Sequence, residues 1–322
     1  MVKRLNFCFF GSSDYSIPVL RNIIKKYKAE IVFTLPSKPK GRGYKLEPNI
    51  VYSFALKNKL PVLEINTFEN FNFQFDFGVI AGFGKIIPSS IFQNFKKGIL
   101  NIHPSLLPKY RGPDPIRATI LNGDKETGVT IILIDELADH GPIIAQKKIT
   151  LTLKETYKEL EEKLGILGGQ LFNEIIEDYL LGKIKPIPQN DYEAIYTHKI
   201  RKEDGLLTIK ENYEIWERKI RAFNPWPGTY IYLKFKNKNE IKYLKIFSIE
   251  KLKQNEINPD LKEIKIGNFY QFRNYLGLRI IDAYILIKEL QLQDRKKMNS
   301  REFLNGYTLG SFEIYEPNSN TK

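Results

Sequence analysis

Lys3-Arg4-Leu5-Asn6-Phe7-Cys8-Phe9-Phe10 runs into Gly11-Ser12-Ser13-Asp14, and a helix-like pattern follows over residues 15–28. Four consecutive apolar residues leave no polar face, so residues 3–10 predict a short strand covered on both sides. Working outward, the same alternation recurs. Residues 31–35 are rich in β-branched and aromatic side chains and predict a second strand. Residues 48–59 predict a helix with proline near its start. Further strands are expected over 61–65, 75–83, 98–103, 129–135 and 143–151, and a long helix over 154–181. Strands alternating with helices imply an α/β fold: a doubly wound, mostly parallel, Rossmann-like sheet. In such sheets ligands sit beyond the carboxyl ends of the strands, so the residues after each strand carry the functional question.

The pattern changes near residue 184. Lys185-Pro186-Ile187-Pro188-Gln189-Asn190-Asp191 is polar and rich in proline, and opens a linker over 185–205. A helix over 213–223 precedes Asn224-Pro225-Trp226-Pro227-Gly228, a rigid turn. Short β-like runs at 229–235, 243–249, 276–281 and 283–292, with a brief helix at 300–304, predict a smaller C-terminal β-barrel, OB-like in class. At 322 residues the chain exceeds one ordinary domain. The expected division is an α/β domain at 1–184, the linker, a barrel at 206–315 and a tail at 316–322.

Hydrophobic residues make up 42% of the chain and aromatics 13%, enough for two cores. The formal charge is +13, which favours polyanionic partners. Residues 1–185 carry 26 Lys+Arg against 19 Asp+Glu, leaving 24 against 18 for the rest, so the excess is +7 and +6. A charge spread this evenly marks no single patch. The lone cysteine, Cys8, and three histidines, His103, His140 and His198, supply neither a disulfide nor a plausible metal site. The apolar run after Met1 breaks at Gly11, too early for a secretory leader, and no stretch approaches the ~18 apolar residues of a membrane span. A soluble cytoplasmic protein without a membrane partner is expected.

The densest polar cluster follows the strand ending near residue 102: Asn101-Ile102-His103-Pro104-Ser105-Leu106-Leu107-Pro108. Asn101 and His103 are two apart and share one face of a strand. Asp139-His140-Gly141 follows the next strand, at what a parallel sheet would make a second carboxyl end. An amide, an imidazole and a carboxyl suit acyl transfer to an amine. The amide donates to a developing oxyanion, the imidazole stabilises that charge or passes a proton, and the carboxylate orients the ring or takes a proton from the amine. A hydrogen-bonded structural histidine and a plain Asp–Gly turn fit the same residues. Gly11-Ser12-Ser13-Asp14 has neither the dinucleotide glycine pattern nor a P-loop lysine.

Asn101 through Gly112, reading NIHPSLLPKYRG, resembles the signature of folate-dependent formyltransferases, and Gly123-Asp124-Lys125-Glu126-Thr127-Gly128-Val129-Thr130 and Asp139-His140-Gly141 recur at that family's spacing. The resemblance implies that Asn101, His103 and Asp139 are the catalytic residues. It also implies that Ser105, Leu106, Leu107 and Pro108 cradle the carrier, 10-formyltetrahydrofolate, with no metal. Residues 35–46, LPSKPKGRGYKL, are similar to an inserted basic loop in the branch of the family that acts on methionyl initiator tRNA. Residues 221–227 and 297–306 resemble that branch's inter-domain and C-terminal signatures, so the likeness covers residues 4 to 307 and is weakest over 237–275. It implies a monomer.

The basic loop has a physical reading too. Lys38, Lys40, Arg42 and Lys45 fall within eight residues, suited to salt-dependent phosphate contacts, and Arg42 is suited to stacking on an unpaired base. A solvated loop is the plain alternative. Two rival functions stay open: a nucleotide-sugar N-formyltransferase, which needs neither the loop nor the basic barrel, and a non-catalytic RNA-binding protein on the same scaffold. Pro104, His140 and Ser12-Ser13-Asp14 depart from the family pattern and leave Asn101, His103 and Asp139 untouched.

Overall fold

The computed structural model describes residues 3–40 and 45–317. The expected first strand is broken by a bond from the Phe7 amide to the Leu5 carbonyl. Lys3–Arg4 pairs with Tyr27–Lys28, while β1 (Phe7–Phe10) enters the main sheet with all four residues fully buried. Helix α1 (Ser16–Ile23) therefore ends well before residue 28, because Tyr27 is drawn into the small ladder and buries its ring edge-on against Phe172 at 6.3 Å.

The remaining elements of this unit are β2 (Ile31–Thr34), α2 (Ile50–Lys57), β3 (Val62–Glu64), β4 (Phe77–Ile80), β5 (Ile99–His103), α3 (Pro115–Asn122), β6 (Glu126–Leu133), β7 (Ile143–Thr150) and α4 (Tyr157–Leu180). The sheet order is β7-β6-β5-β4-β1-β2-β3. β5, β4, β1, β2 and β3 run parallel; β6 runs against β5, and the edge strand β7 runs against β6 and so again along the parallel direction. Alternation along β1 feeds both faces. Cys8 and Phe10 join a cluster with Phe33, Phe71, Phe83 and Phe95, whereas Phe7 stacks on Phe77 and meets Phe172 of α4. Helix α4 opens on a capping box between Thr156 and Glu159. Its Gly168 and Gly169 permit close approach: a Cβ there would stand 2.6 Å from the Ile102 side chain and 2.7 Å from the Val19 carbonyl oxygen.

Residues 120–123 and, among the described residues, 200–317 form a second compact unit. Helix α5 (Tyr213–Phe223) is capped by Asn212, whose side chain accepts from the Ile215 amide. It is followed by β8 (Thr229–Phe235), β9 (Glu240–Lys251), β10 (Phe269–Phe272), β11 (Tyr275–Arg279), β12 (Tyr284–Leu292), α6 (Ser300–Gly306) and β13 (Phe312–Tyr315). The antiparallel order is β10-β11-β12-β9-β8-β13. Phe269 and Phe312, on strands at opposite ends of that order, meet edge to face at 5.0 Å, so the sheet curls back on itself as the expected barrel-like class requires. Trp216 of α5 and Phe303 of α6, both fully buried, plug the interior against Leu233, Leu244 and Ile287.

Candidate active site

Asn101 and His103 stand on the same face of β5, and Ile102 between them is buried on the opposite face, beside Gly168 of α4. Asp139 reaches them by a route other than the expected parallel carboxyl edge. Strand β6 runs antiparallel to β5, with Leu133 paired to Leu100, so its carboxyl end lies toward the beginning of β5. Residues 134–142 then fold back across the face that carries Asn101 and His103. Asp139 sits there with φ 53°, in the left-handed region that Asp enters more readily than most residues other than glycine.

Three groups converge. Asn101 Nδ2 donates to Asp139 Oδ1 at 3.0 Å, and the Gly112 amide donates to Oδ2 at 2.9 Å, fixing both carboxylate oxygens. His103 is 5% exposed; its Nδ1 lies 3.4 Å from Asp139 Oδ1. Its Nε2 donates to the Tyr110 carbonyl at 2.9 Å, which assigns the proton to Nε2 and turns Nδ1 toward the carboxylate. Tyr110 adopts φ 65°, so the 108–114 turn is itself bent to present that carbonyl and the Gly112 amide.

Residues 105–108 form the layer behind this cluster. Ser105 is fully buried and donates to the Lys109 carbonyl at 2.7 Å. Thr130 of β6 ties the segment down, donating to the Ser105 carbonyl and accepting from the Leu107 amide, while Gln146 donates to the Leu107 carbonyl. Leu106 lies over Gly128 of β6, and Pro108 follows Leu107 through a cis peptide bond. None of the four lines the cavity in front of His103.

That cavity, of about 570 Å³, has a mixed lining. Its apolar side chains include Ile80, Phe83, Ile87 and Ile134, with Ile86 and Leu137 exposing 79% and 63% of their surfaces. Its polar side chains include Ser13, Tyr15, Tyr157 and Glu161. Tyr15 is 4% exposed, and its hydroxyl has no hydrogen-bond partner among the described residues. Glu161 accepts from the Tyr157 hydroxyl at 2.7 Å, and burial, reinforced by nearby Asp14, pushes its carboxyl above the ordinary range. The reading of the sequence missed this lining, although Gly82-Phe83-Gly84-Lys85 follows β4 directly, where an α/β sheet presents its ligand. Among the described residues no cluster of His, Cys, Asp and Glu fits a metal ion.

The basic loop is seen in part. Lys38–Lys40 and Lys45–Glu47 pair as an antiparallel ribbon, Lys40 opposite Lys45, anchored where Ser37 bonds Glu64 at 2.6 Å. Arg42 lies outside the described residues.

The formyl transferase family model matches residues 5–176, more than half of the chain, and the model for the formyl transferase C-terminal domain matches residues 199–308. A methionyl-tRNA formyltransferase of Finegoldia magna is 34% identical over 313 residues, covering 95% of this chain and 96% of the relative. The chain belongs to the methionyl-tRNA formyltransferase family. A second member, from Geobacter sulfurreducens, is 32% identical over 95% of each chain. Among solved structures, an N-formyltransferase of Helicobacter canadensis in complex with folinic acid and dTDP-3-aminofucose superposes with a TM-score of 0.61. It is 22% identical and covers 88% of this chain and 98% of its own, a likeness of fold. Within the methionyl-tRNA formyltransferase family frame, Asn101, His103 and Asp139 are the residues the fold gathers at one cavity.

Proposed function

We propose that the chain transfers the formyl group of 10-formyltetrahydrofolate to the α-amino group of methionyl initiator tRNA, with Asn101, His103 and Asp139 as the catalytic residues. The observation that carries this reading is the convergence of those three side chains on one cavity. The carrier supplies a formyl group on a nitrogen that departs with a proton. The carrier's ring system is proposed to lie along Phe83–Ile87 and 134–138, because Ile86 and Leu137 expose apolar surface that a bound ring would cover. Ser105–Pro108, expected to cradle the carrier, are proposed instead to hold His103 and β5 in place from behind.

Asn101 has one amide hydrogen on Asp139 and a second free to meet the charge that develops on the formyl oxygen. His103 Nδ1 faces the same space, and a proton received there is stabilised by Asp139 Oδ1 at 3.4 Å. Asp139, held by two donors, orients the ring and receives the proton that the attacking amine sheds. The N–C bond to the amine forms, the C–N bond to the carrier breaks, and the proton removed from one nitrogen is returned to the other. The ribbon carrying Lys38, Lys40 and Lys45, with Arg42, is proposed to contact phosphates of the tRNA acceptor end. No metal is required, and a cytoplasmic monomer is the proposed state. Among the described residues no helix is long and apolar enough to cross a membrane.

The test is formylation of purified methionyl initiator tRNA by 10-formyltetrahydrofolate, beside elongator methionyl-tRNA and an amino-sugar nucleotide. Transfer to the initiator alone is expected; transfer to the sugar alone would overturn the tRNA assignment while leaving the three catalytic residues standing.

A further inference from the structure

Residues 185–199, the first part of the expected linker, are bonded onto the α/β unit and hold the loop that carries Asp139. Gln189 Nε2 donates to the carbonyl oxygens of Asp139 and Gly141 at 2.9 and 2.8 Å. Its own carbonyl oxygen accepts from Nε and Nη2 of Arg111 at 3.1 and 3.0 Å. The Arg111 side chain is 1% exposed and is further engaged by Asp191 Oδ1 at 2.9 Å and the Tyr196 hydroxyl at 3.2 Å. On its other side Asp191 faces His140 Nε2 at 3.4 Å, and His140 Nδ1 meets Asp135 Oδ2 at 2.5 Å. Asp135 and Asp139 both line the cavity. The loop is thus gripped from Arg111 along two routes, one ending on the backbone of the catalytic aspartate and the other on the Asp135 side chain in the wall of the same cavity.

We propose that Gln189 and His140 are positioning residues: Gln189 fixes the backbone of Asp139, and the imidazolium of His140, bridging Asp135 and Asp191, fixes the wall of the carrier pocket. The charged groups facing His140 are Asp135 on its own loop and Asp191 from the following segment, with Arg111 behind Asp191. The hydrogen bond that the His140 ring donates to Asp135, helped by the charges of both carboxylates, holds the ring above its ordinary range. The bridge is accordingly complete at low pH and is lost as pH rises through that raised value, when only one ring nitrogen can still donate. Gln189 carries no charge, so its effect on Asp139 is independent of pH.

The assignment rests, for its kinetic arm, on the formyl-transfer reading; its titration arm does not. The ring resonances of the three histidines are followed by NMR against pH, with the His140→Gln spectrum identifying His140. Its midpoint is expected above 6.5, the ordinary value, and Asp191→Asn, a change at a largely exposed side chain, is expected to lower it. With 10-formyltetrahydrofolate and methionyl initiator tRNA, the wild-type KM for the carrier is expected to rise as pH passes that midpoint. His140→Gln should show a raised KM that no longer varies over the same range. Gln189→Leu should lower kcat by about tenfold, the size expected for two lost backbone-directed hydrogen bonds, with the KM for the carrier little changed. A His140 midpoint unmoved by Asp191→Asn, or a carrier KM profile unaltered in His140→Gln, would overturn the assignment. Absence of formylation by the wild type with the titration as expected would instead sink the functional reading and leave the clasp intact.

Discussion

At the scale of single residues the site works by over-determination. Both oxygens of Asp139 have fixed donors, and both nitrogens of His103 have a defined neighbour. Removing the imidazole or the carboxylate charge should therefore remove function without removing the fold. His103→Ala and Asp139→Asn are expected to lower kcat by roughly two orders of magnitude or more, with unchanged melting behaviour, checked by single-turnover formylation. Glu161 gives a prediction of opposite character. Its folded carboxyl titrates above the unfolded one, so the folded chain binds more protons between the two values and loses stability as pH rises through them. Glu161→Gln should raise the melting temperature relative to wild type at pH 8 and have little effect at pH 5; equal shifts at both values would refute the burial argument. That Asn101 and His103 share a face was legible from strand alternation, whereas the grouping of Asp139 with them was implied only by the resemblance, since an Asp-Gly pair after a strand reads equally as a turn. Gln189 was not: an amide fifty residues from Asp139 in a proline-rich stretch carries no chemical signal until the backbone carbonyls it meets are known.

Elements were legible where one face pattern dominated. The expected helix over 213–223 and strand over 229–235 match α5 and β8. The failures have physical causes. Strand β10 lies in a region dominated by charged residues, where a four-residue run of Phe269-Tyr270-Gln271-Phe272 does not stand out, and β13 interrupts its apolar alternation with only four residues before the tail. The reversal of β6 leaves no trace in composition, since a buried strand reads alike in either direction; it is fixed by the loop that must return Asp139 to β5. The packing of α4 on α1 depends on small residues. Because a Cβ at position 169 would meet the backbone oxygen of Val19 rather than a movable side-chain end, Gly169→Ala should cost about 1–3 kcal/mol, read as a lowered denaturation midpoint of the α/β unit. An unchanged midpoint would show that the two helices can slide apart freely.

For the whole molecule, the near-equal charge of the two halves argues that affinity for a polyanion is distributed. A single cation removed should then weaken binding modestly and in a salt-dependent way. Arg42→Ala is expected to raise the KM for methionyl-tRNA by several-fold at low salt, with the difference shrinking as ionic strength rises. A salt-independent effect would point to a base contact instead of a phosphate. The single thiol offers a different kind of handle. Cys8 sits in an interior strand of the first unit's sheet, fully enclosed, and burial pushes its thiol well up, so in the closed fold it is neither reachable nor nucleophilic. Every molecule of the chain thus carries one built-in clock for the opening of that sheet: a thiol reagent can label it only when β1 comes free of its neighbours. The labelling rate at rising denaturant, set beside the fluorescence of Trp216 and Trp226, both in the second unit, would time the two units separately in a single unmodified protein.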